Sequence, residues 1–132
     1  MLKYLLDTNI AIYVIKRRPA QALERFNRLA DQLCLSTISE AELLHGVEKS
    51  DRPEQNLRVV EDFCSRLTVL DYHQKAAAHY GQIRATLERK GTPIGVNDLH
   101  IAGHARSEGL TLVTNNLKEF ERIDGLLLEN WV

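Results

Sequence analysis

The chain has 132 residues, 17 lysines and arginines against 18 aspartates and glutamates, and a formal net charge of −1. Its 44% hydrophobic content excludes an intrinsically disordered chain, and no window approaches the ~18 uninterrupted apolar residues of a membrane span. The balanced charge argues against a protein that binds nucleic acid through charge alone. We therefore expect one globular domain over residues 1–132.

Two cysteines, Cys34 and Cys64, lie within apolar patterns and have no C-x-x-C partner. This usage is typical of reduced thiols in the core of a cytoplasmic protein. The first residues lack the long apolar stretch and the small-residue cleavage site of a signal peptide. We therefore expect a cytoplasmic protein with no membrane association.

The first half of the chain alternates short apolar runs with helical patterns. Pro19 suits the first turn of a helix, and Ser39 and Glu42 have the spacing of a capping box ahead of another helix. In chain order the patterns predict a strand over 2–6, a helix over 7–15, a helix over 19–32, a strand over 33–37, a helix from 39, and a helix over 53–66.

The second half continues the alternation. Asn97 is predicted to cap a helix that runs through Ser107, and Gly109 to end it in the left-handed conformation. In chain order the patterns predict a strand over 67–70, a helix over 73–90, a turn over 91–95, the helix from Asn97, a strand over 110–113, a polar loop over 114–116, a short helix over 118–122 and a small strand over 126–128.

Strands that alternate with helices are typical of a parallel sheet covered on both faces. The run Leu-Thr-Leu-Val at 110–113 is nearly all apolar, as a strand buried on both faces should be. We therefore predict a three-layer α/β/α domain with a central parallel sheet of four to five strands. Its ligand site should lie beyond the carboxyl ends of the strands.

Acids and amides map to that edge of the sheet. They flank apolar residues, and carboxylates crowded in a partly apolar site either become protonated or bind cations. Mg²⁺ suits them because it prefers oxygen ligands. Each acid also has a structural alternative, since helix starts attract acids and lie on one edge of such a sheet. The residues are Asp7, Glu42, Asp98, Asn115, Asn116 and Glu119.

Other chemical patterns are weaker. His100 and His104 stand at i, i+4, but the glutamate of H-E-x-x-H is absent and no third ligand is evident, so a partly exposed helix face is the alternative. The chain has no glycine-rich phosphate loop and no G-x-S-x-G. Basic clusters at 16–18, 25–28 and 84–90 form either solvated helix faces or phosphate contacts beside the acids.

Four segments, in a fixed order and spacing, carry a resemblance to a known family. Residues 6–9 (LDTN), 36–43 (STISEAEL), 97–105 (NDLHIAGHA) and 112–120 (LVTNNLKEF) resemble the successive motifs of PIN-domain ribonucleases. In particular they look like the VapC toxins of bacterial toxin–antitoxin modules. The similarity covers nearly the whole chain and implies a PIN fold.

The resemblance assigns roles to the acids. Asp7, Glu42 and Asp98 fall on the family's three core acids. Many PIN domains carry a fourth acid after the fourth strand, where this chain has Asn115-Asn116. Either Glu119 or an asparagine oxygen would then take its place.

A Mg²⁺- or Mn²⁺-dependent endoribonuclease is the implied activity, with a homodimer and a cognate VapB-like antitoxin that inserts into the active site. A structured RNA is the implied substrate, first of all a tRNA anticodon stem-loop and otherwise an rRNA hairpin. One alternative is a non-catalytic PIN-fold module that acts with an antitoxin in binding or autoregulation. Another is a phosphoacceptor receiver domain, but Asp7 lacks the acidic neighbour that such a domain needs.

These expectations lead to a mechanistic hypothesis. Asp7 and Asp98 would bind the metal directly, Glu42 would bind metal or orient the attacking water, and Glu119 would complete the outer part of the site. Four neighbours are predicted to position the carboxylates: Thr8, Asn9, Asn115 and Asn116.

Overall fold

Five short strands alternate with helices in the computed structural model, which describes residues 1–132. The strands are β1 (Tyr4–Leu6), β2 (Leu33–Ser36), β3 (Thr68–Leu70), β4 (Thr111–Val113) and β5 (Leu127–Glu129). The helices are α1 (Thr8–Lys16), α2 (Ala20–Leu29), α3 (Thr37–Glu48), α4 (Pro53–Ser65), α5 (Gln74–Arg89), α6 (Val96–Glu108) and α7 (Leu117–Phe120). None of the helices combines the length and apolar character that crossing a membrane requires.

All five strands are parallel and follow the order β3-β2-β1-β4-β5. The central strand β1 pairs through Leu5 with Cys34 on one side and with Leu112 on the other. From β1 the chain builds the sheet first towards β2 and later towards β4, so the strand order reverses at β1. Ligands of such sheets bind beyond the carboxyl ends of the strands at this reversal.

The sheet separates two hydrophobic cores because successive side chains of a strand point to opposite faces. Leu6 packs into the core formed with α1, α2, α3 and α4, whereas Leu5 packs into the core formed with α5, α6 and α7. Both leucines are fully buried. The predicted three-layer α/β/α architecture with a central parallel sheet is therefore confirmed.

Gly103 lets α5 and α6 approach each other backbone to backbone. A Cβ atom at this position would lie 2.9 Å from the backbone N of Tyr80 and 3.1 Å from the carbonyl O of Ala76. Only a residue without a side chain fits at this distance. The contact sets how closely α6, which carries Asp98 in its first turn, packs against α5.

The predicted start of α3 is wrong. Ser36 is the N-cap, and its Oγ accepts a 3.1 Å hydrogen bond from the backbone N of Ile38. The helix therefore begins at Thr37, ahead of the predicted capping box. Ser39 is instead a buried residue inside the helix, and Glu42 lies in the second turn rather than the first.

The ends of other helices differ in smaller ways. The prediction that Asn97 caps α6 is wrong, because the helix begins at Val96 after an extended Gly95. Its predicted end is confirmed, since Gly109 has a φ of 67° and follows the last helical residue. The helix predicted over 19–32 ends at Leu29, and a 3₁₀ turn over Ala30–Gln32 continues it into β2.

Candidate active site

Asp7 lies at the carboxyl end of β1 and is held by neighbours on both sides. It is 4% exposed and caps α1. Its Oδ1 accepts a 2.8 Å hydrogen bond from the backbone N of Thr8, and its Oδ2 accepts one of 2.8 Å from the hydroxyl of Thr114. The backbone N of Asp7 donates to the carbonyl O of Val113 at 2.9 Å. The carboxylate is therefore oriented by the end of β4 as well as by its own helix.

Thr8 connects two elements through its hydroxyl. The Oγ1 atom lies 2.7 Å from Oε1 of Glu42 and 2.8 Å from Oγ of Ser39. A hydroxyl has one proton, and a carboxylate is the stronger acceptor, so Thr8 donates to Glu42 and the Ser39 hydroxyl completes the second contact. This link joins the start of α1 to α3 and fixes one oxygen of Glu42.

The structure brings three of the predicted acids around one open cleft. Its volume is about 410 Å³, and α1, α3 and α6 contribute its walls. Its lining is polar apart from one isoleucine. The lining residues are Asp7, Thr8, Asn9, Ile12, Glu42, His45, Gly46, Lys49, Asn97 and Asp98.

Burial, with nearby negative charge, raises the proton affinity of two acids at the cleft, Asp98 and Asp7. Burial raises the pKa of Asp98 to about 6, and the negative charges of Asp7, Glu119 and Glu42 add to the effect. Burial also raises the pKa of Asp7, against the hydrogen bonds from Thr114 and Thr8, which lower it. The site therefore holds more negative charge than its own hydrogen bonds stabilise, which is the environment that favours a bound cation.

Glu119 lies near enough to Asp98 to raise the pKa of that carboxyl, although it does not line the cleft. It follows β4 on the short helix α7 and is partly exposed. It therefore adds negative charge near Asp98 from outside the cleft lining.

Of the four residues predicted to position the carboxylates, only Thr8 contacts an acid through its side chain. Thr8 contacts Glu42, as described, and Asn9 is exposed at the cleft wall. The side chain of Asn115 donates to the hydroxyl of Tyr13 at 3.2 Å, and Asn116 uses its backbone N to donate to Thr114 at 3.0 Å. Neither asparagine side chain donates to an acid, and Thr114 takes that position instead.

Four residues that the structure places at the site were not predicted from the sequence: Thr114, Ser39, His45 and Lys49. The available signal for two of them is helical spacing, because His45 and Lys49 stand three and seven residues after Glu42 on the same face of α3. For Thr114, the only feature of the sequence that could have indicated a role at the site is its position directly after β4. No local pattern indicated that its hydroxyl would face Asp7.

His100 and His104 do not form the metal pair that their spacing allowed. Nδ1 of His100 lies 2.8 Å from the hydroxyl of Tyr72, and its ring stacks on Tyr80 with the centroids 4.1 Å apart. Nδ1 of His104 lies 2.8 Å from Oγ of Ser36. His100 is partly exposed, as the helix-face alternative predicted.

Comparison with known proteins gives consistent matches over the length of the chain. Residues 4–126 match the family model of the PIN domain. The chain is 63% identical over 132 residues to "Ribonuclease VapC2" of Haemophilus influenzae, with 100% of both chains covered. It is 58% identical over 131 residues to "tRNA(fMet)-specific endonuclease VapC" of Salmonella typhimurium, with 99% of both covered.

A solved structure gives the same result for the fold. The chain matches one in the crystal structure of DNA-bound VapBC from Salmonella typhimurium with a TM-score of 0.96, at 57% identity and with 100% of both chains covered. The likeness in sequence and in fold therefore extends from end to end.

Proposed function

Because the chain belongs to the PIN-domain family and is a nuclease of the VapC type, we propose that it is the toxin of a toxin–antitoxin pair and cleaves structured RNA with the help of Mg²⁺ or Mn²⁺. The observation that carries this proposal is the cleft in which Asp7, Glu42 and Asp98 lie together. Three carboxylates in one cleft suit phosphodiester hydrolysis, in which a cation must meet both the acids and a phosphate.

The donor set fits a hard divalent cation. It consists of carboxylate oxygens, and the pKa of Asp98 is raised by burial and then by the negative charges around it, which a cation would neutralise. We propose Asp7 and Asp98 as its ligands, with Glu42 as a further ligand or as the group that orients the attacking water. A cation held there would lower the pKa of the attacking water and neutralise charge on the phosphoryl oxygens.

Hydrogen bonds from neighbouring residues orient the carboxylates of the cleft without a bound cation. Thr8 and Thr114 hold the two oxygens of Asp7, and Thr8 also holds one oxygen of Glu42. Carboxylates already oriented lose less side-chain entropy when they bind a cation. We propose that Glu119 completes the outer part of the site, in place of the fourth acid for which this chain has Asn115-Asn116.

The cleft also carries positive charge on the side where a phosphate backbone could enter. Lys49 lines both the acid cleft and a neighbouring open groove of about 520 Å³, which has no hydrophobic residue. Arg52 lines the same groove, three residues further along the chain between α3 and α4. We propose that the RNA backbone follows this groove into the cleft, because phosphate contacts position a strand while the acids act on one bond.

We propose tRNA, cut in the anticodon stem-loop, as the substrate class. The Salmonella relative named as a tRNA(fMet)-specific endonuclease is 58% identical over 99% of both chains. Loops of structured RNA present unpaired bases to a protein, whereas the A-form major groove hides them. Because the net charge of the chain is only −1, we propose that it recognises its RNA by shape more than by electrostatic attraction.

The proposed partners also follow from similarity to the Salmonella relative. The Salmonella structure is a VapBC complex bound to DNA, so we propose a VapB-like antitoxin for this chain and a role of the pair in binding DNA. A homodimer of the toxin is the proposed assembly.

Metal-dependent cleavage tests the proposal. The purified chain, incubated with total tRNA and Mg²⁺ or Mn²⁺, should produce discrete fragments whose 5′ ends can be sequenced, and a chelator should abolish them. Asp7→Asn should be inactive and folded, because asparagine can still accept from Thr8 and donate to the Thr114 oxygen. Asp31→Asn, an exposed acid away from the cleft, is the matched control and should cleave like the unmodified chain. Cleavage by folded Asp7→Asn at the unmodified rate would overturn the proposal.

A further inference from the structure

A second cluster of metal-ligating side chains lies outside the acid cleft. It consists of His73, His104 and Glu108, whose ligand atoms all lie within 4.8 Å of one another. His73 caps the start of α5, while His104 and Glu108 stand four residues apart on α6. None of the three lines the acid cleft. His104 comes six residues after Asp98 on the same helix, or ~9 Å further along its axis.

His104 has a buried nitrogen that no protein group satisfies. The residue is fully buried, and its Nε2 is the single buried side-chain N or O atom without a hydrogen-bond partner. Its Nδ1 lies 2.8 Å from Oγ of Ser36. When Nδ1 carries the ring proton and donates it to Ser36, Nε2 offers a free lone pair to the cluster. Buried polar atoms without a partner are rare in folded proteins, and an unoccupied ligand position is one physical cause.

We propose that His73, His104 and Glu108 bind a transition-metal ion of the Zn²⁺ type through the two Nε2 atoms and one carboxylate oxygen. Imidazole and carboxylate ligands are those that Zn²⁺ takes, and three protein ligands leave a fourth position for water. The Ser36 contact on the opposite ring nitrogen is the kind of hydrogen bond that orients a metal-bound histidine.

Two of the three residues of the cluster are accessible to solvent, and the third is buried. The side chains of His73 and Glu108 are 37% and 36% exposed, so an ion can reach them, whereas His104 forms the buried wall. The nitrogen-rich ligand set separates this site from the acid cleft, because Mg²⁺ prefers oxygen ligands and Zn²⁺ accepts imidazole readily. The two sites should therefore respond to different ions.

Binding requires a rearrangement of His73. Without an ion, its Nε2 bonds directly to Glu108, and its Nδ1 accepts a long 3.3 Å hydrogen bond from the backbone N of Ala76. To ligate through Nε2, the neutral ring must carry its proton on Nδ1, so the bond from Ala76 is lost and the contact with Glu108 opens. The competing arrangement is a plain hydrogen-bonded pair of His73 and Glu108 that binds no ion.

A bound ion would connect the start of α5 to the end of α6. These helices already meet backbone to backbone at Gly103, next to His104, and the ion would extend this attachment to the start of α5 and the end of α6. We therefore expect Zn²⁺ to stabilise the fold. This role does not depend on the proposed nuclease activity.

Zinc titration of the metal-free full-length chain tests the site. Calorimetry should detect one Zn²⁺ bound per protein chain, and Zn²⁺ should shift thermal unfolding to higher temperature. Co²⁺ bound in its place should give the visible absorption of a tetrahedral site. His73→Ala and Glu108→Gln should each weaken Zn²⁺ binding at least ~10-fold. Both residues are partly exposed, so these variants should fold.

Matched controls distinguish this site from Zn²⁺ binding at surface histidines or in the acid cleft. His79→Ala and Glu88→Gln change the same residue types on α5 outside the cluster, and their Zn²⁺ affinity should be unchanged. Asp7→Asn should also keep the Zn²⁺ response. The proposal is overturned if Zn²⁺ produces no thermal shift, if His73→Ala and Glu108→Gln bind it as the controls do, or if Asp7→Asn removes the response.

Discussion

The hydroxyl of Thr114 donates a 2.8 Å hydrogen bond to Oδ2 of Asp7 across 107 positions of sequence. Thr114 is itself fully buried and receives a hydrogen bond from the backbone N of Asn116 at 3.0 Å. Its own backbone N donates to Glu129 of β5 at 2.9 Å. The orientation of the acid after β1 is therefore set by the residue after β4.

Replacing Thr114 tests this link. Thr114→Val removes the hydroxyl at nearly constant volume, so Asp7 loses one of its two donors. We expect the apparent Mg²⁺ affinity and the cleavage rate to fall by about 10–100-fold, and the free energy of unfolding to fall by about 1–3 kcal/mol. Cleavage assays over a Mg²⁺ series and urea unfolding measure the two effects.

Thr114→Ser is the matched variant because it keeps the donor. It should retain Mg²⁺ affinity within a few-fold of the unmodified chain. Equal losses in the valine and serine variants would show that the hydroxyl does not act on Asp7.

Asp98 should make the metal-free protein less stable as pH rises. Its pKa is raised from 3.8 unfolded to about 6 in the fold, so the fold favours the protonated carboxyl. The stability from this group is complete below about pH 4 and is lost as pH rises through 6. The full shift corresponds to ~3 kcal/mol, which partial exposure reduces to about 1–2 kcal/mol.

Asp98→Asn stays neutral at every pH and isolates the effect. In chelator at pH 8 it should be more stable than the unmodified chain by about 1–2 kcal/mol, and at pH 3.5 the two should coincide. Urea unfolding at both pH values measures the difference. A gap of the same size at pH 3.5, or none at pH 8, contradicts the assignment of this charge.

Lys49 should act on RNA binding rather than on the chemical step, a prediction that rests on the proposed function. Lys49→Ala should raise KM several-fold with little change in kcat. The slope of log affinity against log salt should fall by about 0.7, as expected for one lost phosphate contact to a single strand. Lys3→Ala, at the amino end of β1, is the control. Equal effects of the two substitutions would exclude a phosphate contact at Lys49.

Gly103 and Gly81 form a matched pair on α6 and α5. Alanine at 103 places its Cβ 2.9 Å from the backbone N of Tyr80, so the helices must separate, at a cost of about 1–3 kcal/mol. Alanine at 81 meets nothing within 4 Å and should stabilise the helix by up to ~1 kcal/mol. Thermal or urea unfolding should move in opposite directions for the two variants. A shift in the same direction would mean that the close approach does not limit the packing.

Much of the fold could be predicted from local patterns. The alternation of apolar runs with helical stretches predicts a parallel sheet, and a parallel sheet collects Asp7, Glu42 and Asp98 at one edge. The prediction that a capping box at Ser39 starts α3 is wrong, and the reason lies in a distant segment of the chain. Ser36 pairs in register with Leu70 of β3, so the pairing of two strands decides where β2 ends and which serine caps α3.

The sequence by itself determined the order of elements, the family and the acids that meet at the carboxyl edge, because each follows from short local patterns taken in chain order. Only the tertiary structure decided that Thr114 faces Asp7 and that His73 meets His104 and Glu108. These contacts depend on strand register and on how closely α5 approaches α6. Both are properties of packing between distant segments, and no local pattern encodes them.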